Sequence, residues 1–131
     1  EEQNEILYSY IETTLLWFDT NDKSSNFHLL FLLSITKYLG FYPEDINLNA
    51  NYFNLRDGKF ENKDFGKISV SGVNLNLLKT LLGITFDDLN TVKINAKQRQ
   101  SFLSMILLYF ELHLGSFKTP KSLGVFNQVF S

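Results

Sequence analysis

The chain is written in helical spacing, interrupted once by a stretch of alternation. Over residues 4–20, Leu7, Tyr10, Ile11, Thr14 and Phe18 recur three and four positions apart, with Glu5 and Glu12 elsewhere around the turn. That period predicts an amphipathic helix with one face on a core. Asp19-Thr20-Asn21-Asp22 breaks it. A second helix is predicted over residues 25–39, with Ser24, Ser25 and Asn26 as candidate caps and Gly40 as its stop. Phe27-His28-Leu29-Leu30-Phe31-Leu32-Leu33 is apolar nearly all round, so this helix is expected at the centre of a bundle.

After the turn Gly40-Phe41-Tyr42-Pro43, residues 46–71 change period. Tyr52-Phe53-Asn54-Leu55-Arg56 alternates apolar and polar, and Asp57-Gly58 follows as a hairpin signal. Lys67-Ile68-Ser69-Val70-Ser71 offers another short strand. Helical spacing returns over residues 75–82 and stops at Gly83. Thr85 and Asp88 then frame one turn over 86–89. The longest helix is expected over residues 96–114, capped by Asn95 with Gln98 at the third position and ended by Gly115. Phe102, Met105, Tyr109 and Leu112 form its stripe. Thr119-Pro120 opens a last helix, faced by Leu123, Phe126 and Phe130. The predicted fold is mainly α: one bundle-like domain over 1–131 with a small β-hairpin insert at 46–71.

Composition supports a packed core. Apolar residues make up 44% of 131, with thirteen Phe, six Tyr and one Trp. The apolar runs at 29–33 and 105–110 are too short to span a bilayer. The chain has no Cys, which excludes thiolate ligands and disulfides and fits a reducing, cytoplasmic setting. It begins at Glu1 rather than Met, so we expect a piece cut from a longer protein.

Catalytic chemistry is hard to assemble. His28 and His113 stand far apart, one in an apolar helix and one beside a helix end, where packing or capping is the simpler role. Asp87-Asp88 and Glu44-Asp45 are adjacent pairs that point apart, so neither makes a shared acid–base site by spacing. Asp57-Gly58 lacks the other ligands of a calcium loop. No phosphate loop or nucleophile elbow is present. We expect no enzyme activity, metal or cofactor.

Charge is more informative. The net charge is only −2, yet residues 1–22 hold six acids and no base. Residues 93–121 hold Lys93, Lys97, Arg99, Lys118 and Lys121 against the single acid Glu111. Lys97 and Arg99 sit at a helix start, where cations oppose the macrodipole. An ordinary solvated surface and an anion-binding face both account for these five.

Three stretches resemble the C-terminal domain of the RecO family. The first is Asn26-Phe27-His28-Leu29-Leu30-Phe31 with Leu39-Gly40-Phe41-Tyr42-Pro43. The second is Tyr52-Phe53-Asn54-Leu55-Arg56-Asp57-Gly58-Lys59-Phe60, in the place of the family's zinc-binding insert. The third and most specific is Tyr109-Phe110-Glu111-Leu112-His113-Leu114-Gly115-Ser116-Phe117-Lys118, running into Pro120-Lys121-Ser122-Leu123. The likeness is greatest to Bacteroidetes-type members. Many members hold zinc through four cysteines; without them, Phe53, Leu55 and Phe60 are expected to hold the insert by packing. The family's N-terminal OB-fold, a DNA-binding element of about five strands, has no counterpart here.

The resemblance implies a non-enzymatic mediator of DNA repair and homologous recombination. Such proteins work with RecR, displace single-strand binding protein and load recombinase on single-stranded DNA. It also implies contacts to the acidic tail of single-strand binding protein, which ends in acids and a Phe. Lys93, Lys97, Arg99, Lys118 and Lys121 are then the candidate contacts for carboxylate or phosphate. The rival expectations are a purely structural or oligomerising helical domain and, more remotely, an enzyme fragment.

Overall fold

The computed structural model describes residues 2–114. The helix expected after Thr119-Pro120 lies outside them. The described residues form four α-helices and a small sheet: α1 (Glu2–Trp17), α2 (Ser24–Leu39), β1 (Tyr52–Asn54), β2 (Lys59–Glu61), β3 (Ser69–Val70), α3 (Gly72–Leu82) and α4 (Ala96–Leu114). A 3-10 turn at Gly66–Ile68 leads into β3, and another at Phe86–Thr91 precedes α4. The domain is mainly α with a small β insert, as the periodicity predicts.

α4 is the central helix. It packs on α2 and α3 and buries Phe102, Leu103, Ile106, Leu107, Tyr109 and Phe110. α2 contributes Leu29, Leu30, Leu32 and Leu33, α1 contributes Ile11, and Phe18 follows directly after α1. Tyr10 of α1 meets the Phe31 ring edge-on at 5.3 Å. α2 is less enclosed than its composition suggests, because Phe27 and Tyr38 face outward.

The caps explain the helix bounds. Gln98 N–H donates to Asn95 Oδ1 at 2.8 Å and Asn95 N–H to Gln98 Oε1 at 3.0 Å, the reciprocal box expected at the start of α4. The start of α2 differs from expectation. Asp22 Oδ1 accepts the Ser24 amide, while Ser25 Oγ donates to the Asp19 carbonyl and Asn26 turns inward. Gly40 ends α2 at φ +92°, a left-handed conformation that costs glycine little.

The insert is a three-stranded antiparallel sheet, ordered β2-β1-β3, so the predicted hairpin gains a strand from 69–70. Phe53 pairs with Phe60 on one side and Val70 on the other. Phe53, Leu55 and Phe60 are all buried, and packing does hold this insert. The buried Asn54 side chain organises its turn. Oδ1 accepts the amides of Arg56 and Asp57, while Nδ2 donates to Asp57 and Glu61.

Several bonds tie the insert and the loop leading into it to the rest of the domain, among them Lys79 Nζ of α3 to the Ala50 carbonyl at 2.9 Å. The Tyr109 hydroxyl donates to the Phe41 carbonyl. His113 Nε2 lies 2.7 Å from the Leu55 carbonyl, which requires the proton on Nε2, and the Glu44 amide donates to the Gly58 carbonyl at 3.0 Å. The His113 ring stacks on Phe41 at 4.8 Å. Burial pushes the Tyr109 phenol well above its usual range, with Glu44 adding to the shift.

Candidate functional site

A cleft of about 900 Å³ opens where the start of α2, the 86–91 turn and the start of α4 meet. Each wall is positioned by a local bond. Asp22 fixes the first turn of α2, the Asn95–Gln98 box fixes α4, and Thr85 Oγ1 donates to Asp88 Oδ2 at 3.2 Å to frame the turn between them. Leu89 and Ile94 form the buried apolar part of the lining, and Asn26 and Arg99 its buried polar part. Phe27 and Phe86 stand at the rim, 47% and 42% exposed, with ring centroids 5.0 Å apart. Lys23 and Lys93 add exposed positive charge.

Two helices start at the cleft, and their first turns are capped: Asp22 Oδ1 accepts the Ser24 amide and Asn95 Oδ1 the Gln98 amide, so the positive charge at the rim comes from Lys23 and Lys93. The Asp22 carboxyl is held below the usual carboxylate range, chiefly by the Ser24 amide, then the Ser24 hydroxyl, with help from the nearby Arg99 and His28 charges.

The structure brings together only part of the predicted basic set. Lys93 lines the cleft and is exposed. Arg99 also borders it, but the expectation of a free surface cation fails for this residue. It is 6% exposed; its Nε donates to Asn26 Oδ1 at 2.6 Å, and a terminal nitrogen donates to the Thr20 carbonyl. Its guanidinium is needed to tie α4 to the start of α2. Lys97 is exposed but does not line the cleft. Lys118 and Lys121 lie outside the described residues. The sequence reading missed Lys23, Phe27 and Phe86. Their signal was an aromatic in a helix start and another in a polar turn, which becomes a site only once residues 23 and 86 are folded together.

The histidines hold packing positions. His113 sits among Phe41, Tyr109 and Leu55, and His28 Nδ1 is buried without a hydrogen-bond partner among the described residues. Among the described residues no three His, Asp or Glu side chains gather to hold a metal, and no helix is long and apolar enough to cross a membrane.

The family described as Recombination protein O C terminal matches residues 1–123. The chain belongs to that family. Among RecO relatives, the DNA repair protein RecO of Christiangramia forsetii is 48% identical over 130 residues, covering 99% of this chain and 54% of that protein. DNA repair protein RecO of Flavobacterium psychrophilum is 42% identical over 132 residues, covering 100% and 55%. The Bacteroides fragilis protein of the same name is 29% identical over 134 residues, covering 99% and 55%. The chain therefore spans about half the length of the curated RecO relatives it matches. No solved structure matches it.

Proposed function

We propose that this chain is a non-enzymatic, partner-binding part of a recombination mediator, and that its cleft takes the acidic tail of single-strand binding protein. One observation carries the proposal: Lys23 and Lys93 line the same open cleft as the Phe27–Phe86 pair, at two helix starts. A peptide ending in acids and a Phe offers carboxylates to the cations and a ring to the aromatic pair. The names of the relatives support a DNA-repair setting. Contacts to RecR and single-stranded DNA are proposed for the full-length protein, and Lys97, Lys118 and Lys121 as further contacts for carboxylate or phosphate.

A labelled peptide ending in acids and Phe tests this by fluorescence anisotropy. Lys23→Glu with Lys93→Glu is expected to weaken binding by about tenfold or more, and the parent affinity is expected to fall with salt. Phe86→Ala is expected to weaken binding at high and low salt alike. Unchanged binding in both variants overturns the proposal. Charge reversal at Lys97, Lys118 and Lys121 then measures what these three cations add.

A structural or oligomerising role draws on a different observation. Trp17 and Tyr38 are 82% and 91% exposed, large rings that a self-contact would cover. That role predicts a molecular mass that rises with concentration in sedimentation and no affinity for the peptide.

A further inference from the structure

The insert presents a second surface, remote in sequence from the cleft residues. Phe65 stands 37% exposed on the segment after β2. Its backbone is held in place: the Phe65 amide donates to Ser69 Oγ at 2.7 Å, and the Gly66 amide to Asp64 Oδ1 at 2.8 Å. Two cations lie against the ring. Lys63 Nζ is 5.1 Å from its centroid and the Arg56 guanidinium carbon 5.8 Å. Lys67 is exposed two positions on.

The acids of this region are engaged within it. Glu61 accepts from Asn54 Nδ2 at 2.6 Å, Asp64 caps Gly66, and Asp57 accepts from Asn54 and, at 3.5 Å, from Arg56. That last pair is exposed and long, so it holds Arg56 weakly. Lys59, Lys63 and Lys67 make no ion pair among the described residues. The outcome is a fixed aromatic ring with cations around it that lack a strong anionic partner.

We propose that Arg56, Lys63 and Phe65 form a contact for single-stranded nucleic acid. A base stacks on the Phe65 ring, and the neighbouring phosphates take Lys63 and Arg56. An exposed cation–ring contact is weak, so a phosphate readily draws the lysine from the ring and frees a face for the base. Only unpaired bases are free to stack in this way, which selects single strands over duplex. The contact rests on the mediator reading, places a nucleic-acid site on the insert and uses none of the cleft's residues.

The test uses the chain as it is, with a labelled oligothymidylate of about 15 nucleotides and an abasic strand of equal charge. Phe65→Ala is expected to weaken oligothymidylate binding roughly tenfold, leaving its salt dependence and the abasic affinity unchanged. Arg56→Gln with Lys63→Gln is expected to lower the log–log salt slope by about 0.7 for each phosphate that is no longer neutralised. Phe65→Trp keeps an aromatic ring, and its emission is expected to quench on addition of oligothymidylate beyond the Trp17 background. Parent-like binding by Phe65→Ala, or no added quenching in Phe65→Trp, overturns the proposal. So does loss of tail-peptide binding in these variants while the oligonucleotide still binds, which makes the surface a peptide site. Phe65→Ala and Arg56→Gln with Lys63→Gln are expected to bind the tail peptide as the parent does, so failure of the cleft and failure of the insert surface are read separately.

Discussion

At the start of α4, Arg99 reaches back to Thr20 and Asn26, and an open cleft lies beside it. At the end of the same helix, Tyr109 and His113 reach Phe41 and Leu55 and are packed among rings. Both ends use one device, a helix side chain donating to a distant oxygen. The surroundings differ. The end of α4 must fasten an insert that has no cysteine, and it does so with aromatic stacking and carbonyl bonds. The start of α4 is fastened by the Arg99 arm and by Ser101 accepting from Asn74, while the neighbouring Phe27 and Phe86 stay partly exposed. A domain can therefore keep a site open at one end when its stability there rests on few bonds.

Breaking the arm is expected to have the largest effect. Arg99→Met leaves Asn26 Oδ1 and the Thr20 carbonyl without their donor. Bonds to a charged group contribute about 1.5–3 kcal/mol each, so a loss of about 3 kcal/mol is expected in urea unfolding. A loss under about 1 kcal/mol would show that the start of α4 is held by apolar packing instead.

The packed end is tested next. Gly58 sits at φ +67°, and a Cβ there would lie 3.0 Å from the Tyr109 hydroxyl. Gly58→Ala is expected to cost about 2 kcal/mol, from left-handed strain and the close approach together. Tyr109→Phe removes the bond to Phe41 and is expected to cost about 1–1.5 kcal/mol. The double variant is expected to lose less than the sum, because the clashing hydroxyl is gone. Strict additivity in thermal or urea unfolding would separate the two positions and contradict the geometry.

The smallest effect belongs to Asp22. Its carboxyl titrates below the usual range in the fold, so it favours folding where it is ionised. That contribution is present at neutral pH and is lost as pH falls through the depressed folded value. Asp22→Asn keeps the acceptor for Ser24 but removes the charge. Its stability deficit relative to the parent is expected at pH 7 and to vanish in strong acid, measured by denaturant midpoints across pH.

The helices were legible because burial repeats with the turn. Ile11 and Thr14 of α1, and Phe18 just after it, are buried as their spacing implies, and the Asn95–Gln98 box marks the start of α4. Local chemistry did not reveal Arg99. Flanked by Gln98 and Gln100, it looks like a surface cation, and only its partner 79 positions away makes it a core residue. Phe27 misled in the opposite sense: in an apolar run it looks like core, yet it stands at the cleft rim. The strand at 69–70 was visible as a fragment, but its pairing with β1 depends on a fold-back that local pattern does not specify. The cleft was hidden for the same reason, since residues 23, 27, 86 and 93 meet only through tertiary closure.

Among the described residues the side-chain ties longest in sequence run to α4, the last of the described elements: Thr20 and Asn26 to Arg99, Phe41 to Tyr109 and Leu55 to His113. Synthesis proceeds from the other end. The early helices and the insert therefore leave the ribosome before the helix that completes their core, and their closing contacts wait for the latest residues. During that interval the leucines of α2 and the rings of the insert are exposed together. A pause in translation just before residue 96 would prolong the aggregation-prone state, and one placed well after residue 114 would spare it.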